Sequence, residues 1–128
     1  MEEIGIVSLW LGNFADQDAL ASYAEARFQK DENGETVPSF TQDFFNGDLW
    51  PFEPDVFDYA MTTASDDPAT VAQPLGEAVS AALVELYPKG MDQSYNAILA
   101  VYDYDFEGSR YVPGAPVRFI GALPYFQD

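Results

Sequence analysis

Three carboxylates at alternate positions, Asp103, Asp105 and Glu107, run into Gly108. Oxygen ligands so spaced, with a glycine sixth to permit a tight turn, open a calcium-binding loop. That loop needs a bidentate glutamate at its twelfth position, where this chain has Gly114. The simpler reading is the end of a strand: Asp103 and Asp105 point to one side, Glu107 and Gly108 enter a hairpin, and Arg110 or Arg118 neutralises the charge. Exposed Asp103 and Asp105 would then add to a binding surface rather than hold a metal.

Paired carboxylates also hydrolyse glycosides when one is kept protonated by its surroundings. With 22 acids in 128 residues, a suitable pair arises by chance, so its presence says little. The chain has no histidine and no cysteine, which removes imidazole bases, thiolate nucleophiles, disulfides and the usual zinc ligands together. Its serines have no obvious base beside them, and no glycine-rich loop is built to cradle phosphate. The expectation is a protein that is not an enzyme and uses neither cofactor nor metal, with a small carboxylate-dependent hydrolase as the catalytic alternative.

The denser constellation is FFNGDLWPFEPDVFDY, residues 44–59, where Asp48, Glu53, Asp55 and Asp58 alternate with Phe44, Phe45, Trp50, Phe52, Phe57 and Tyr59. Pro51 and Pro54 restrict the backbone between them. Aromatic anchors give contact area at small entropic cost, and carboxylates form charge-assisted bonds with a partner's Arg or Lys. Two readings stay open: a pre-stiffened docking surface, or rings that are core with acids merely facing water. Phe44, Phe45, Trp10, Tyr23 and Phe28 suit the core, whereas Trp50 and Phe52, isolated between prolines, suit a surface. The partner-binding candidates are therefore Asp48, Trp50, Phe52, Glu53, Asp55 and Asp58, with Asp103 and Asp105 as a secondary acidic rim.

Net charge is −17, and between Lys30 and Lys89 there is no Lys or Arg. Such a field repels nucleic acid and anionic membranes and speeds encounter with a basic partner. Solubility and adaptation to high salt explain the same charge without a partner. The N-terminus begins with two acids where a signal peptide needs a basic region, and its apolar run is too short to cross a bilayer, so a cytoplasmic protein is expected.

Elements to position these residues follow from periodicity. Hydrophobic residues at 48% and aromatics at 16% exclude a disordered chain, and the length suits one domain over residues 1–128. Ile4 to Leu11 reads as a strand apolar on both faces, hence inside a sheet, followed by a turn signal at Gly12 and Asn13. Asp16 caps a helix to about Phe28 whose stripe is Leu20, Tyr23, Ala24 and Phe28. A short helix capped by Ser39 spans Phe40 to about Phe45, Val56 to Met61 is either a short strand or a helical turn, with strand preferred, and residues 64–70 form a loop. Ala72 to about Tyr87 reads as one helix, with Pro74 tolerable in its first turn. Tyr95 to Phe106 and Val117 to Tyr125 are further apolar strands. The sum is an α+β domain, mainly an antiparallel sheet with two main helices packed on one face.

Several of these pieces resemble the immunity protein 22 family of bacterial polymorphic toxin systems. The resemblance is carried by VSLWLGNF (residues 7–14), the helix with Leu20 and Tyr23, Pro38 to Phe40 with Asp43 and Phe44, the acidic stretch Glu53 to Tyr59, the strand Asn96 to Phe106, and Phe119 to Gly121. It implies a non-enzymatic α+β protein made beside a toxin, which binds and silences the toxin domain; the toxins are often thought to be nucleases. A nuclease needs a basic surface, so a cognate toxin domain with such a surface is the expected partner. A DNA mimic acting on some other nucleic-acid-binding protein is the neighbouring alternative.

Overall fold

The first strand, β1 (Glu2–Gly12), sends Val7, Leu9 and Leu11 to one side and Ser8 and Trp10 to the other, and all five are shielded from solvent. In the computed structural model, which describes residues 2–25, 33, 40–45, 56–108, 112 and 114–125, two cores meet at this strand. On the Trp10 side lie α1 (Gln17–Glu25) and α2 (Phe40–Phe44), with Leu20, Tyr23, Phe40 and Phe44 turned inward. On the Leu9 side lie α3 (Pro68–Ala72) and α4 (Glu77–Leu86), contributing Val71, Val79 and Leu83.

Helices thus cover both faces of the sheet, not one as the sequence reading expects. The reason is β1 itself: a strand apolar on both sides exposes one row of side chains unless each face receives a layer. The remaining strands, β2 (Phe57–Ser65), β3 (Tyr95–Tyr104) and β4 (Val117–Pro124), complete a sheet ordered β2-β3-β1-β4. Every pairing is antiparallel, and β1 sits inside as its apolar faces require.

Trp10 is the hub of the first core. Its ring lies 4.8 Å from Phe40 at 89°, 5.1 Å from Phe106 and 5.1 Å from Phe119. Aromatic pairs in such tilted and edge-to-face arrangements add about 0.5–1.5 kcal/mol per pair beyond area burial. Phe45 and Phe44 close the cluster, both buried as expected, whereas Phe28 lies outside the described residues.

The turn after β1 is tied to β3 by a reciprocal clasp. Asn13 Nδ2 donates to the Ser94 carbonyl (3.2 Å) while Asn13 Oδ1 accepts the Asn96 N–H (3.1 Å). Asn96 answers by accepting the Phe14 N–H (2.9 Å) and donating to the Phe14 carbonyl (2.8 Å). Two side-chain amides thereby continue the ladder past the last strand pair, Gly12 with Ala97. Gly12 itself admits no Cβ, since one would collide with the Pro116 carbonyl oxygen.

Between α2 and α4 the elements depart from the expected outline. β2 continues to Ser65, and the expected loop over 64–70 instead contains the start of α3. Asp67 caps that helix, accepting the Ala69 N–H (3.3 Å) and the Thr70 hydroxyl (2.8 Å), and Pro68 fills the first turn where a missing N–H costs nothing. The expected single helix over 72–87 is divided: α3 passes into a 3-10 turn, Gln73–Leu75, and Gly76 at φ 99° redirects the chain into α4. Pro74 and a glycine in the left-handed region together make a break.

At the opposite end of the sheet, the β1–β3 register shifts between Glu2 and Val7, with Gly5 at φ 86° and Asp103 at φ 55°. The Asp103 carboxylate holds this irregularity, accepting the Gly5 N–H (3.0 Å) and the Tyr125 hydroxyl (2.8 Å), while the Gly5 carbonyl accepts the Tyr125 N–H (3.0 Å). One oxygen of one side chain therefore joins three strands' ends. Asp103→Ala is expected to lower stability by about 2–3 kcal/mol, read as a shifted denaturant midpoint, because two bonds to a charged acceptor are lost. Asp103→Asn, which tolerates φ > 0 and keeps an acceptor, should cost less than about half as much.

Tyr23 donates its hydroxyl to Asp43 (2.8 Å), joining α1 to α2. Burial, and then the Asp43 carboxylate, push this phenol far above its usual range. The folded state favours the neutral phenol, so its contribution is complete below the unfolded value near 10 and is lost as pH rises through the folded one. Stability is expected to fall steeply above about pH 10, and Tyr23→Phe should flatten that alkaline limb when midpoints are followed from pH 8 upward.

Candidate functional site

Of the residues proposed from sequence for partner binding, Asp48, Trp50, Phe52, Glu53 and Asp55 lie outside the described residues, and Asp58, Asp103 and Asp105 lie within. Asp58 stands on β2, an edge strand of the sheet. Its neighbours Phe57 and Tyr59 turn into the Trp10 core, so alternation sends Asp58 to the opposite face, where it is exposed. On that face its charge acts on Tyr102 of β3. Burial first, and the Asp58 charge second, push the Tyr102 phenol up to about 12, so it remains an O–H donor throughout the physiological range.

Asp103 is committed to the fold in the way described above, with its carboxylate already receiving two donors. Its left-handed backbone also breaks the alternation that would send Asp103 and Asp105 to one side. Asp105 is half-buried just beyond β3. Arg118, one of the two cations expected to neutralise these acids, pairs instead with Asp92 at 3.2 Å, and Arg110 lies outside the described residues.

Asp58 and Asp103 nevertheless come into one neighbourhood through two tyrosines. The Tyr102 and Tyr125 rings lie 5.5 Å apart at 53°, with Asp58 acting on the first and Asp103 bonded to the second. These rings border a cleft of about 550 Å³ between α4 and the sheet. Its helical wall is formed by Glu77, Ala78, Ala81, Ala82 and Glu85, a stripe at helical spacing. Leu75 and Pro124 also line it, and among the described residues no Lys or Arg does.

The sequence reading misses this cleft. It assigns α4 by its inward stripe and leaves the second stripe, two glutamates flanking three alanines, without a role. That pattern is visible in the sequence, but nothing local says which strand it faces; the sheet order supplies Tyr102 and Tyr125 from residues remote in the chain.

The acids divide by use. Asp16 and Asp67 cap helices, Asp43 and Asp103 take tyrosine hydroxyls, and Asp92 pairs with Arg118. Asp18, Asp66, Glu77, Glu85 and Glu107 are exposed, and the Arg118–Asp92 contact is the only ion pair among the described residues. Among those residues no His, Cys, Asp or Glu group is arranged to hold a metal ion, and no helix is long and apolar enough to cross a membrane.

Comparison with known proteins places these features in a family. Neither curated proteins nor solved structures give a match. The family described as Immunity protein 22 matches residues 7–125, from the core of β1 to the tyrosine that anchors the Asp103 junction. With nearly the whole sheet and both helical layers inside that match, the chain belongs to the Immunity protein 22 family and has an immunity function.

Proposed function

We propose that this protein is a non-enzymatic inhibitor that acts in the cytoplasm, binding a cognate toxin domain of nuclease type through an acidic, aromatic-rich surface. The family supplies the immunity function and, with it, a toxin partner. The observation that carries the finer reading is the unbalanced charge: 22 acids stand against five Lys and Arg, so most carboxylates have no cation within the chain to pair with. Internal pairing therefore does not account for the acidity.

A nuclease must present cations to phosphate, so its substrate surface is the natural complement of this charge. Asp48, Glu53, Asp55 and Asp58 pair with toxin cations in this reading, Trp50 and Phe52 anchor the contact, and Asp105 adds to the rim. Asp103 contributes field rather than a free carboxylate, because its oxygen is occupied.

Charge and anchors separate kinetically. With the toxin domain from the adjoining reading frame, the association rate should fall by roughly 10–100-fold from low to high salt, measured by stopped flow. A rate that does not respond to salt would remove electrostatic steering from the account. Trp50→Ala should leave association nearly unchanged and raise the dissociation rate by about 30-fold, the effect of truncating a central aromatic anchor. In cells, co-expression should restore growth against the active toxin.

A further inference from the structure

The cleft between α4 and the sheet has three properties that together specify an occupant. It is an open groove whose helical wall is built from alanines: Ala82 is buried, Ala81 is exposed, and Gly76 has nothing within 4 Å of where a Cβ would stand. Its floor is aromatic and fixed in place. Tyr125 is held by the Asp103 carboxylate at 2.8 Å, and Tyr102 packs 5.5 Å from it. Its rim is anionic, with Glu77 and Glu85 exposed and two helical turns apart, which is about 12 Å along the axis.

Neither glutamate has a cationic partner among the described residues, and Asp58 adds a third charge beyond Tyr102. Alanine walls over tyrosine faces suit a long aliphatic stem, and the carboxylate rim suits a planar cation at its end. Arginine meets both demands, since a guanidinium stacks on rings and forks onto carboxylates where an ammonium is only a point charge. A second copy of this chain would bring a net charge of −17 against the same sign, and nucleic acid would bring phosphates.

We propose that this cleft is a docking site for an arginine-bearing segment of the toxin domain, with arginine stems lying along the alanine wall and guanidinium groups paired to Glu77 and Glu85. The assignment rests on the immunity reading for the existence of a toxin partner. It adds a surface, on the α3/α4 face of the sheet, that the acidic segment around Trp50 does not name. Since the cleft walls are held by hydrogen bonds and core packing already made in the free protein, little ordering remains for the partner to impose.

The test uses the full chain and the catalytically inactivated toxin domain of the adjoining reading frame, with affinity measured by titration calorimetry at low salt. Glu77→Gln with Glu85→Gln should weaken binding about tenfold or more. Ala81→Trp, which fills the mouth from an exposed position, should weaken it about 100-fold, with circular dichroism and melting temperature confirming that both variants fold. Wild-type affinity in both variants overturns the proposal while leaving the immunity reading intact. Loss in Ala81→Trp alone overturns the arginine assignment, because the occupant would then be apolar. A dimer of this chain that Ala81→Trp abolishes in sedimentation overturns it in favour of self-association. Failure of the wild-type chain to bind the toxin at all overturns both readings.

Discussion

A strand that is apolar on both faces cannot rest on the surface of anything, and β1 imposes that condition on the whole molecule. Val7, Leu9 and Leu11 demand a layer on one side, Trp10 demands another opposite, and both edges of the strand must be paired to bury it. Each fully buried side chain of this size contributes about 1.5–3 kcal/mol relative to exposure. From this come the two helical layers, the placement of β1 between β3 and β4, and the separation of a core of aromatic rings around Trp10 from a mainly aliphatic one, with tyrosines at its border, around Leu9.

What the sequence made legible is this frame. VSLWLGNF supplies the strand, the Trp10 hub and the Asn13 half of the clasp; the strand beginning at Asn96 supplies the other half. The stretches that carry the family resemblance are thus largely those that assemble the sheet. Periodicity also located both long helical stripes, because burial repeats every turn. It did not report that β1's two apolar faces need two layers, although the residues that require it were in view. Asp67 followed by Pro68 is a helix start that local rules contain, hidden here inside a polar run read as loop. The role of Asp103 was not legible, since it depends on a left-handed backbone and on Gly5 and Tyr125, distant in the chain. Asp103 and Asp105 looked alike as a pair of alternating acids; the fold gives the first a structural duty.

The acidity of the chain therefore has two origins. Some carboxylates replace missing backbone partners at helix ends or bind tyrosine hydroxyls, tasks that any soluble fold sets. Others among the described residues, Asp18, Asp66, Glu77, Glu85 and Glu107, are exposed on the outside of an interior that is almost entirely apolar, where Ser8 is the single buried polar residue among those described. Ser8 is itself satisfied, donating to the Tyr104 carbonyl (2.7 Å) and accepting the Phe106 N–H (2.9 Å). Frame and field are thus physically separable: the first can be kept while the second changes.

The position of β1 carries a consequence for the timing of assembly. Its hydrogen-bonded neighbours come from far along the chain, as the Ser8–Tyr104 contact across 96 residues shows. Closing so long a loop defers the central pairing until β3 and β4 have left the ribosome. A newborn molecule therefore passes through an interval in which it has been synthesised in large part yet offers its partner no finished surface. A cell relying on such a guardian needs a reserve of completed copies before the poison it restrains becomes active.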